Sequence, residues 1–467
     1  MSNITERPSN ALPAVLSTEG APLPPLLSPE WERAVTFGKR DLRNSLETHG
    51  SPLHVLAPEI CAANLRSMAA AIGEFGVSGQ LFYAFKANKS VAFVEAAAQA
   101  GFGIDVASEH EHKLAAQHSA EGTAISLSGP VKGASWLRRA VAEGCLIGID
   151  SFEELQFIRS LLLKERPRQL ARITIRVNME SAKCRFGVDP EQLPACGKLL
   201  VENNILLKFE GFAFHLNGYA VGDRINATRR LLDTIDSFAS IGLESYVLNI
   251  GGGLPVQYVA EEDFSYFIKN HHDAVSYLGH APGSFYPYGG QPTAAEWLKA
   301  FLSANGASGT IASELRSRGL TLLVEPGRAA LDQAGASLFQ IGAVKKGKDS
   351  TTLFLNGTSF NACETWFQSE FLCDPLILSE HAADADDCRE HRYYLAGHSC
   401  LGDDMISRRA FTSSRRLRVG DVLLFANTAG YQMDLLENNF HHHPFPHRSV
   451  LEPVSATAND LKARTAA

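Results

Sequence analysis

The segment at residues 81–90, LFYAFKANKS, joins a five-residue apolar and aromatic run to a lysine, Lys86. A run of this length and composition predicts a buried strand. A lysine at a strand end is usually a solvated surface residue. Its meaning here therefore depends on which residues the ends of the other predicted strands bring beside it.

Seven further short apolar runs, bounded by polar residues or glycine, alternate with segments of helical periodicity. The eight strand candidates are residues 81–85, 103–106, 124–127, 146–149, 172–177, 211–214, 246–250 and 321–324. The helix candidates are residues 91–99, 110–117, 135–142, 152–163, 191–202 and 228–241. Eight strands that alternate with helices within about 250 residues predict an α/β fold built on a (β/α)8 barrel of the TIM type.

Changes in composition predict the domain organisation. The first thirty residues carry six prolines and little apolar periodicity, which is typical of a flexible arm. After Arg328, β-like runs follow one another without regular helices. The predicted parts are a flexible arm (1–30), an N-terminal segment partly joining the β domain (31–75), the barrel (76–330) with an insertion near 260–318, a C-terminal mainly β domain (331–453) and a flexible tail (454–467).

Composition excludes several classes of protein. The chain has 467 residues, is 45% apolar and 20% charged, and carries a net charge of -8, without the basic stripe of a nucleic-acid-binding protein. No run is long enough to span a membrane, and we expect no secretory signal. The eight cysteines form no CxxC pair, so we expect reduced thiols in a cytoplasmic protein and no metal site. The histidines of the run at residues 438–447 are adjacent on one short loop, which is a poor metal-site pattern.

The residues at the carboxyl ends of barrel strands form the active site in this architecture. At the predicted strand ends lie Lys86, Asp105, Ser128, Asp150, Arg176, His215, Gly251, Gly252, Gly253 and Glu325. The triple glycine allows a tight turn with bare N–H groups, which is a common way to bind phosphate. A phosphate site beside a lysine amine suggests pyridoxal phosphate held as a Schiff base.

Two further residues suit that cofactor. Glu325 lies in the segment VEPGRAAL and could bond a pyridine nitrogen, although an isolated acid there is as readily a strand-end ion pair. Arg328 lies close enough in sequence to reach a phosphate or a carboxylate. His215 has a flat ring that could stack on a cofactor, but a single histidine after an apolar run is more often structural.

Taken together, the motifs resemble those of the fold-type III pyridoxal-phosphate decarboxylases, the group of diaminopimelate and ornithine decarboxylases. The similarity runs from about residue 51 to residue 451. The motifs are YAFKANKS, GFGIDVASEHE, RVNMESAKCRFGV, FHLNG, LNIGGGLP, EPGR, GHSCLGDD and TAGYQMD, in the family's order. The resemblance implies a barrel and a C-terminal β domain like those of alanine racemase and ornithine decarboxylase.

The resemblance also implies roles for individual residues. Lys86 would form the Schiff base, His215 would stack on the ring and Glu325 would pair with the ring nitrogen. Cys400 would return a proton after carbon dioxide leaves the external aldimine, acting across the interface of a homodimer. The remaining implied cofactor-site positions are Asp105, Glu111, Arg176, Gly251, Gly252, Gly253, Pro326, Gly327, Arg328 and Tyr431.

The chain departs from the family at the substrate side. Leu401 follows Cys400 where the family usually has an acid, and Asn356 stands where ornithine-type enzymes have an aspartate. Gly218 and Arg185 replace a phosphate-binding serine and a common lysine. With Asp404, the positions Asn356 and Leu401 are the candidate substrate residues.

These departures argue against a simple diamine as the product. We expect an amino-acid substrate with an uncharged, bulky or carrier-attached side chain. Two alternatives stay open. One is a racemase of the same fold, which would use an arginine at the ring nitrogen and a tyrosine acid. The other is a non-catalytic homologue, which would typically have lost cofactor residues.

Overall fold

The computed structural model describes residues 12–118, 122–179, 184–272, 275–362, 369–379 and 389–453. The strands are β1 (Ser17–Thr18), β2 (Leu53–Leu56), β3 (Gly79–Ala84), β4 (Gly103–Val106), β5 (Ile125–Leu127), β6 (Leu146–Ile149), β7 (Ala171–Arg176), β8 (Leu207–Ala213), β9 (Val247–Asn249), β10 (Ser284–Phe285), β11 (Asn305–Gly306), β12 (Gly309–Thr310), β13 (Thr321–Val324), β14 (Gly335–Lys346), β15 (Thr351–Leu355), β16 (Ser369–Glu370), β17 (Leu376–Leu378), β18 (His391–Ala396), β19 (Met405–Ser413), β20 (Val422–Ala426) and β21 (His447–Val450). The helices are α1 (Pro29–Phe37), α2 (Lys39–His49), α3 (Pro58–Gly73), α4 (Val91–Gln99), α5 (Glu109–His118), α6 (Ala134–Glu143), α7 (Phe152–Glu165), α8 (Leu193–Glu202), α9 (Val221–Ala239), α10 (Glu261–Asn270), α11 (Ala294–Ser303) and α12 (Ile311–Ser317).

The chain divides into two compact units. The barrel unit contains residues 58–256 and 292–331. The β unit contains the described residues up to Ala57, then residues 257–291, and the described residues from Asp332 onward. None of the helices in the described part of the chain is long and apolar enough to cross a membrane.

The barrel unit is a closed ring of eight parallel strands in the order β13-β3-β4-β5-β6-β7-β8-β9. The ring closes because β13 pairs with both β9 and β3. All four residues of β4, and all three of β5, are buried, as expected for a parallel sheet covered by helices. The predicted (β/α)8 barrel is confirmed, and three of the predicted strands, 103–106, 146–149 and 321–324, have the predicted bounds.

Strand β8 begins at Leu207, four residues before the predicted start. The segment holds Lys208 and Glu210, and charged residues break the apolar pattern on which the prediction depended. The Glu210 carboxylate is buried but bonds Arg172 Nε at 2.8 Å and lies 3.0 Å from Lys208 Nζ. Gly211 then takes a φ of +145°, where the register between β7 and β8 shifts. A side chain at Gly211 would collide with the Val247 carbonyl.

The β unit contains a nine-stranded, mainly antiparallel sheet. Its main path is β1-β19-β18-β15-β14-β2-β21, and β20 and β17 branch from β14. The long strand β14 carries the centre of the core, where Phe339 packs edge to face on Phe425. The predicted second, mainly β domain is thus confirmed as part of the fold class.

The prediction of a flexible arm over residues 1–30 is wrong for the part that the structure describes, which begins at residue 12. Leu16 and Leu23 are fully buried, and β1 pairs with β19. The Thr18 and Leu23 N–H groups both donate to Asp374 Oδ2, at 2.8 and 2.7 Å. These partners lie about 350 residues away in the chain, so no local sequence pattern could indicate them. The predicted tail at residues 454–467 lies outside the described residues.

Arg409 anchors that arm. Its guanidinium is fully buried and donates to Asp374 Oδ1 and Glu370 Oε1, both at 2.9 Å, and to Thr18 Oγ1 at 2.7 Å. Burial alone would lower the pKa of Arg409, but the charges of Glu370 and Asp374 outweigh it and raise the pKa above its usual value. A buried cation with this many acceptors therefore stays charged.

The segment between β9 and β13 is split between the units rather than forming one insertion. Residues 257–291 belong to the β unit, where β10 pairs with β16 and Phe267 packs edge to face on Phe285. Helix α11 belongs to the barrel unit. Its first turn is closed by a capping box between Thr293 and Glu296.

Candidate active site

Lys86 lies in a single 3-10 turn, Phe85–Ala87, directly after β3. Phe85 and Ala87 are buried, whereas Lys86 is exposed and lines a cavity of about 570 Å³ in the barrel unit. The other lining side chains used below are Ser128, Asp150, Arg176, His215, Asn249 and Glu325. The strand therefore fixes the backbone while the amine projects into the cavity, which answers the question that the lysine raised in the sequence.

Asp105, in β4, is a buried acid whose carboxyl group interacts electrostatically with Lys86. It is 1% exposed, and its Oδ2 accepts a hydrogen bond from Ser128 Oγ at 3.0 Å. Burial, then the charge of Glu325, raise the pKa of Asp105 well above its usual range, and Lys86 opposes this shift. Its Oδ1 has no hydrogen-bond partner among the described residues. The carboxyl group is thus poised to bind a further polar group.

Glu325 is held by Asn249, a residue that the sequence analysis did not single out. The Asn249 amide donates to Glu325 Oε1 at 2.6 Å, and its Oδ1 accepts from the Gly251 N–H at 2.8 Å. The Glu325 N–H donates in turn to the Gly251 carbonyl at 2.9 Å. One side chain at the end of β9 therefore couples the acid after β13 to the glycine turn. In the sequence, the only signal for the role of Asn249 was its position in the motif LNIGGGLP.

His215, after β8, closes the other side of that turn. The Gly252 N–H donates to His215 Nδ1 at 3.3 Å, so the proton of the neutral ring lies on Nε2. Burial lowers the pKa of His215 to about 3, and the charges of Lys86, Arg176 and Arg224 act in the same direction. The ring is therefore neutral at physiological pH.

The glycine turn leaves little room for side chains. Gly251 and Gly253 have φ values of +67° and +73°. A Cβ on Gly251 would lie 2.7 Å from His215 Nδ1, and one on Gly252 would lie 2.5 Å from the Glu325 carbonyl. Close approach of backbone and neighbours, together with left-handed backbone, explains the three consecutive glycines.

Arg176, at the end of β7, pairs with the largely buried Asp150 at 3.2 Å. Its guanidinium lies 4.8 Å from the centre of the Phe186 ring, and that of Arg185 lies 4.5 Å from the same centre. All four residues line the cavity that Lys86 also lines. Residues 180–183, within the motif that precedes Arg185, lie outside the described residues.

The other predicted barrel-unit positions act through the backbone. Glu111 Oε2 accepts from the Ala107 N–H at 2.6 Å and so fixes the loop after β4. The Pro326 carbonyl accepts from the Ala84 N–H at 3.1 Å, which ties the loop after β13 to the strand that precedes Lys86. Gly327 begins the turn that contains Arg328, since its carbonyl accepts from the Ala330 N–H at 3.0 Å.

Five predicted site residues belong to the β unit. Cys400 is exposed in the loop between β18 and β19, and Leu401 beside it is 45% exposed. The buried Asp404 carboxylate accepts from the Ser359 and Ser399 N–H groups at 2.7 and 3.1 Å, so it shapes the Cys400 loop. Leu401 and Asp404 line one cavity of about 570 Å³, but Asn356 lines a different one. Their roles in substrate binding stay predictions.

Tyr431, the fifth of these residues, has a φ of +69°, a backbone conformation that costs a side-chain-bearing residue energy and that clusters at functional sites. Its carbonyl accepts from the Asp434 N–H at 2.9 Å. Its predicted contact with phosphate stays a prediction.

A second cluster, of His112, Glu143 and Cys145, has the ligand types of a metal site, with atoms within 4.8 Å of one another. The Trp136 indole N–H donates to His112 Nδ1 at 2.9 Å, so His112 carries its proton on Nε2, which faces Glu143 at 2.9 Å. Burial raises the pKa of Cys145 to about 12, which keeps the thiol protonated. The cluster is therefore a closed hydrogen-bonded group as it stands.

Comparison with known proteins identifies the family. The model of the "pyridoxal-dependent decarboxylase, pyridoxal binding domain" family matches residues 62–283. An uncharacterised protein of Sinorhizobium fredii, y4yA, is 38% identical over 94% of this chain and 96% of its own. The L-glutamyl-[BtrI acyl-carrier protein] decarboxylase of Niallia circulans is 23% identical over 79% of this chain and 81% of its own.

A solved structure has the same fold. The diaminopimelate decarboxylase of M. jannaschii, in complex with L-lysine, has a TM-score of 0.68, with 19% identity over 88% of this chain and 89% of its own. The chain belongs to the fold-type III pyridoxal-phosphate decarboxylase family, and the resemblance stated from its motifs is confirmed. The cofactor of this family is pyridoxal phosphate, as predicted.

The residues present fit this cofactor. Lys86 supplies a primary amine in the cavity, and the Gly253 and Leu254 N–H groups have no acceptor among the described residues, as a phosphate-binding turn requires. The Glu325 carboxylate offers an acceptor for a pyridinium N–H, and the Asp105 carboxyl has one oxygen without a partner.

Proposed function

We propose that the protein is a decarboxylase of an amino acid or an amino-acid-derived intermediate, and that it does not form a simple diamine. The observation that supports this most is the acid Glu325, held by Asn249 in the cavity that Lys86 lines. When bound, pyridoxal phosphate supplies an electron sink that stabilises the charge left when a bond at the substrate's α-carbon breaks.

Each of the barrel residues would have a separate role in binding the cofactor. Lys86 would hold the cofactor through its aldehyde, and the glycine turn would hold its phosphate. Glu325 would accept the N–H of the ring nitrogen and so keep it protonated, which would strengthen the electron sink. His215 offers a ring that is neutral, so it adds no charge against that pyridinium. Asp105 adds a carboxyl group whose raised pKa favours its protonated, hydrogen-bond-donating form.

Cys400 acts as the acid in this proposal. It returns a proton to the carbon that has lost its carboxyl group, and its exposed loop serves the barrel cavity of a second copy of the chain in a homodimer. The Asp404 carboxylate supports this role by bonding two N–H groups of the surrounding segments, which fixes the loop.

The substrate's side chain is uncharged, bulky or attached to a carrier. Leu401 replaces an acid beside Cys400, and Asn356 has a neutral amide bonded to Gln340 Oε1 at 3.3 Å. Neither residue offers the negative charge that would bind the distal amine of a diamine precursor. A carrier-attached substrate is supported by the name of the Niallia circulans relative, which acts on a glutamyl carrier protein.

Carbon dioxide release tests the proposal. Purified protein loaded with cofactor is offered amino acids and their carrier-attached forms, and we expect carbon dioxide from at least one of them, with Lys86→Ala inactive. Exchange of the substrate's α-proton for deuterium without carbon dioxide would instead indicate a racemase and contradict the proposal. The acid at Glu325 disfavours that alternative, since racemases of this fold place an arginine there.

Mixing two inactive variants tests the shared site. Lys86→Ala removes a residue of the barrel unit and Cys400→Ala removes one of the β unit. Random reassociation makes half of the dimers mixed, and each mixed dimer has one intact site. We expect the mixture to recover about a quarter of the wild-type activity. No recovery, although size-exclusion chromatography shows exchange of subunits, would contradict the dimeric part of the proposal.

A further inference from the structure

Arg224, on the first turn of α9, is one of the largest fully buried side chains among the described residues. A charged guanidinium is costly to bury unless acceptors surround it. In sequence Arg224 lies nine residues after His215, and its surroundings indicate only an ordinary charged position on a helix.

The acceptors around Arg224 are carbonyl groups of the two turns that build the phosphate site. Its Nη2 donates to the Leu216 carbonyl at 2.8 Å, just after His215. The same nitrogen lies 3.2 Å from the Gly253 carbonyl and 3.4 Å from the Gly252 carbonyl. Because Nη2 carries two hydrogens and has three acceptors, the two longer hydrogen bonds are weaker than the first.

These contacts determine where the neighbouring N–H groups point. The peptide bonds on either side of Gly253 are trans, because the one cis bond in the described chain is Ser51-Pro52. In a trans peptide the C=O and N–H groups point to opposite sides. Two carbonyls drawn toward Arg224 therefore turn the Gly253 and Leu254 N–H groups away from it. Neither N–H has an acceptor within the described part of the chain.

We propose that Arg224 is a positioning residue for the cofactor's phosphate, which it orders from behind the glycine turn. It fixes the peptide groups of residues 252–254 so that two N–H groups are free for the phosphate oxygens. It also places a buried positive charge behind those peptide groups, where it favours the dianion of a phosphate monoester. The inference rests on the family's cofactor and not on the identity of the reaction.

Helix α11 supports this arrangement from outside. The Trp297 ring centre lies 5.5 Å from the Arg224 guanidinium carbon, and the Trp297 indole N–H donates to the Tyr219 carbonyl at 2.8 Å. Trp297 thus covers the cation and ties down the loop that follows His215. A Cβ on Gly253 would collide with Arg224 Nη2, and the positive φ of this residue also favours glycine. This gives the helical part of the segment before β13 a function.

The test compares cofactor with and without its phosphate. Wild type, Arg224→Met and Arg224→Lys are freed of cofactor, and the dissociation constants of pyridoxal phosphate and of pyridoxal are measured from the absorbance of the lysine imine. The matched control is Arg230→Met, an exposed arginine on the same helix. We expect Arg224→Met to weaken pyridoxal phosphate about 10- to 100-fold, the range for loss of a charged hydrogen-bonding group.

The proposal requires that pyridoxal binding stay at the wild-type value in Arg224→Met, and that Arg230→Met change neither constant. Equal weakening of both ligands would show a general structural role and overturn the proposal, as would unchanged binding of pyridoxal phosphate.

If Arg224→Met does not fold, as judged by circular dichroism, Arg224→Lys decides the question. Lysine keeps the charge but loses the fork, so we expect a smaller loss confined to pyridoxal phosphate. A phosphorus NMR titration gives a second readout: the bound phosphate stays a dianion to lower pH in wild type than in the variant. Identical titration curves, or a loss shared with pyridoxal, would overturn the inference.

Discussion

Replacing Asn249 by alanine removes the residue that joins the glycine turn to the acid of the candidate site. The side chain is 3% exposed, and it makes a bond of 2.8 Å from the Gly251 N–H and one of 2.6 Å to Glu325. The first is worth about 1 kcal/mol, and the second, to a carboxylate, about 1.5–3 kcal/mol. Asn249→Ala should therefore lower the free energy of unfolding by about 2.5–4 kcal/mol.

For a unit of roughly 240 residues, this loss corresponds to a fall in the thermal midpoint of about 5–15 °C. The assay is thermal unfolding followed by circular dichroism, with and without saturating cofactor. Cofactor should also bind more weakly to Asn249→Ala, because Glu325 has lost the donor that orients it. A midpoint within about 1 °C of wild type would refute the reasoning, since buried polar partners cannot be removed without cost.

Asn249→Asp is the matched variant. It keeps an acceptor for the Gly251 N–H but sets a second carboxyl group against Glu325, so that one of the two must hold a proton. The pKa of that pair in the folded state is then raised above the unfolded value of about 4. The penalty is absent below that pH and grows as the pH rises toward the raised pKa. We expect Asn249→Asp to be near wild type at about pH 4 and clearly less stable at about pH 8. A difference from wild type that does not vary with pH would contradict this account.

Three further predictions concern other parts of the chain. Gly252→Ala should abolish cofactor binding, because the added Cβ would lie 2.5 Å from the Glu325 carbonyl. The control Gly222→Ala, where nothing lies within 4 Å of the added Cβ, should bind cofactor as wild type does. Equal binding by both variants would contradict the claim that the glycine turn has no room for a side chain. Thr18→Val should lower the free energy of unfolding by about 1–3 kcal/mol, measured by thermal unfolding, because its hydroxyl lies between two buried charged groups; an unchanged midpoint would show that the N-terminal arm does not contribute to stability. The His215 ring should not titrate between pH 5 and 8 in NMR spectra assigned with His215→Gln, because its pKa is lowered to about 3. The free energy of unfolding should fall as the pH drops below about 6.5, where the unfolded chain takes up the proton first. A titration midpoint of this ring above pH 5 would contradict its burial.

The barrel was predictable because its strands are short apolar runs between helical segments, and this local pattern can be recognised in a single sequence. The start of β8 was not predictable, because Lys208 and Glu210 are charged. They pair with each other, and Glu210 also accepts from Arg172 of β7. Lys86 could be placed at a strand end, since position along the strand decides which residues face the mouth of a barrel.

The supporting residues were harder to find for a different reason. Asn249 acts through a hydrogen bond to the Glu325 side chain, 76 residues away, and Arg224 acts through backbone carbonyls in other turns. Neither residue has a periodic or compositional signal. The same applies to the N-terminal arm, whose proline-rich sequence gives no sign of the Thr18–Asp374 contact. The substrate-side positions stay predictions, and in the folded chain Leu401 and Asn356 line different cavities.

The central claim is that the amine of Lys86 carries the cofactor. Protein purified with pyridoxal phosphate is reduced with borohydride, digested, and analysed by mass spectrometry. The account predicts one phosphopyridoxyl group, on the peptide that contains Lys86, and loss of the visible absorbance in Lys86→Ala. Modification at another lysine, or a protein that stays colourless with the cofactor in excess, would contradict it.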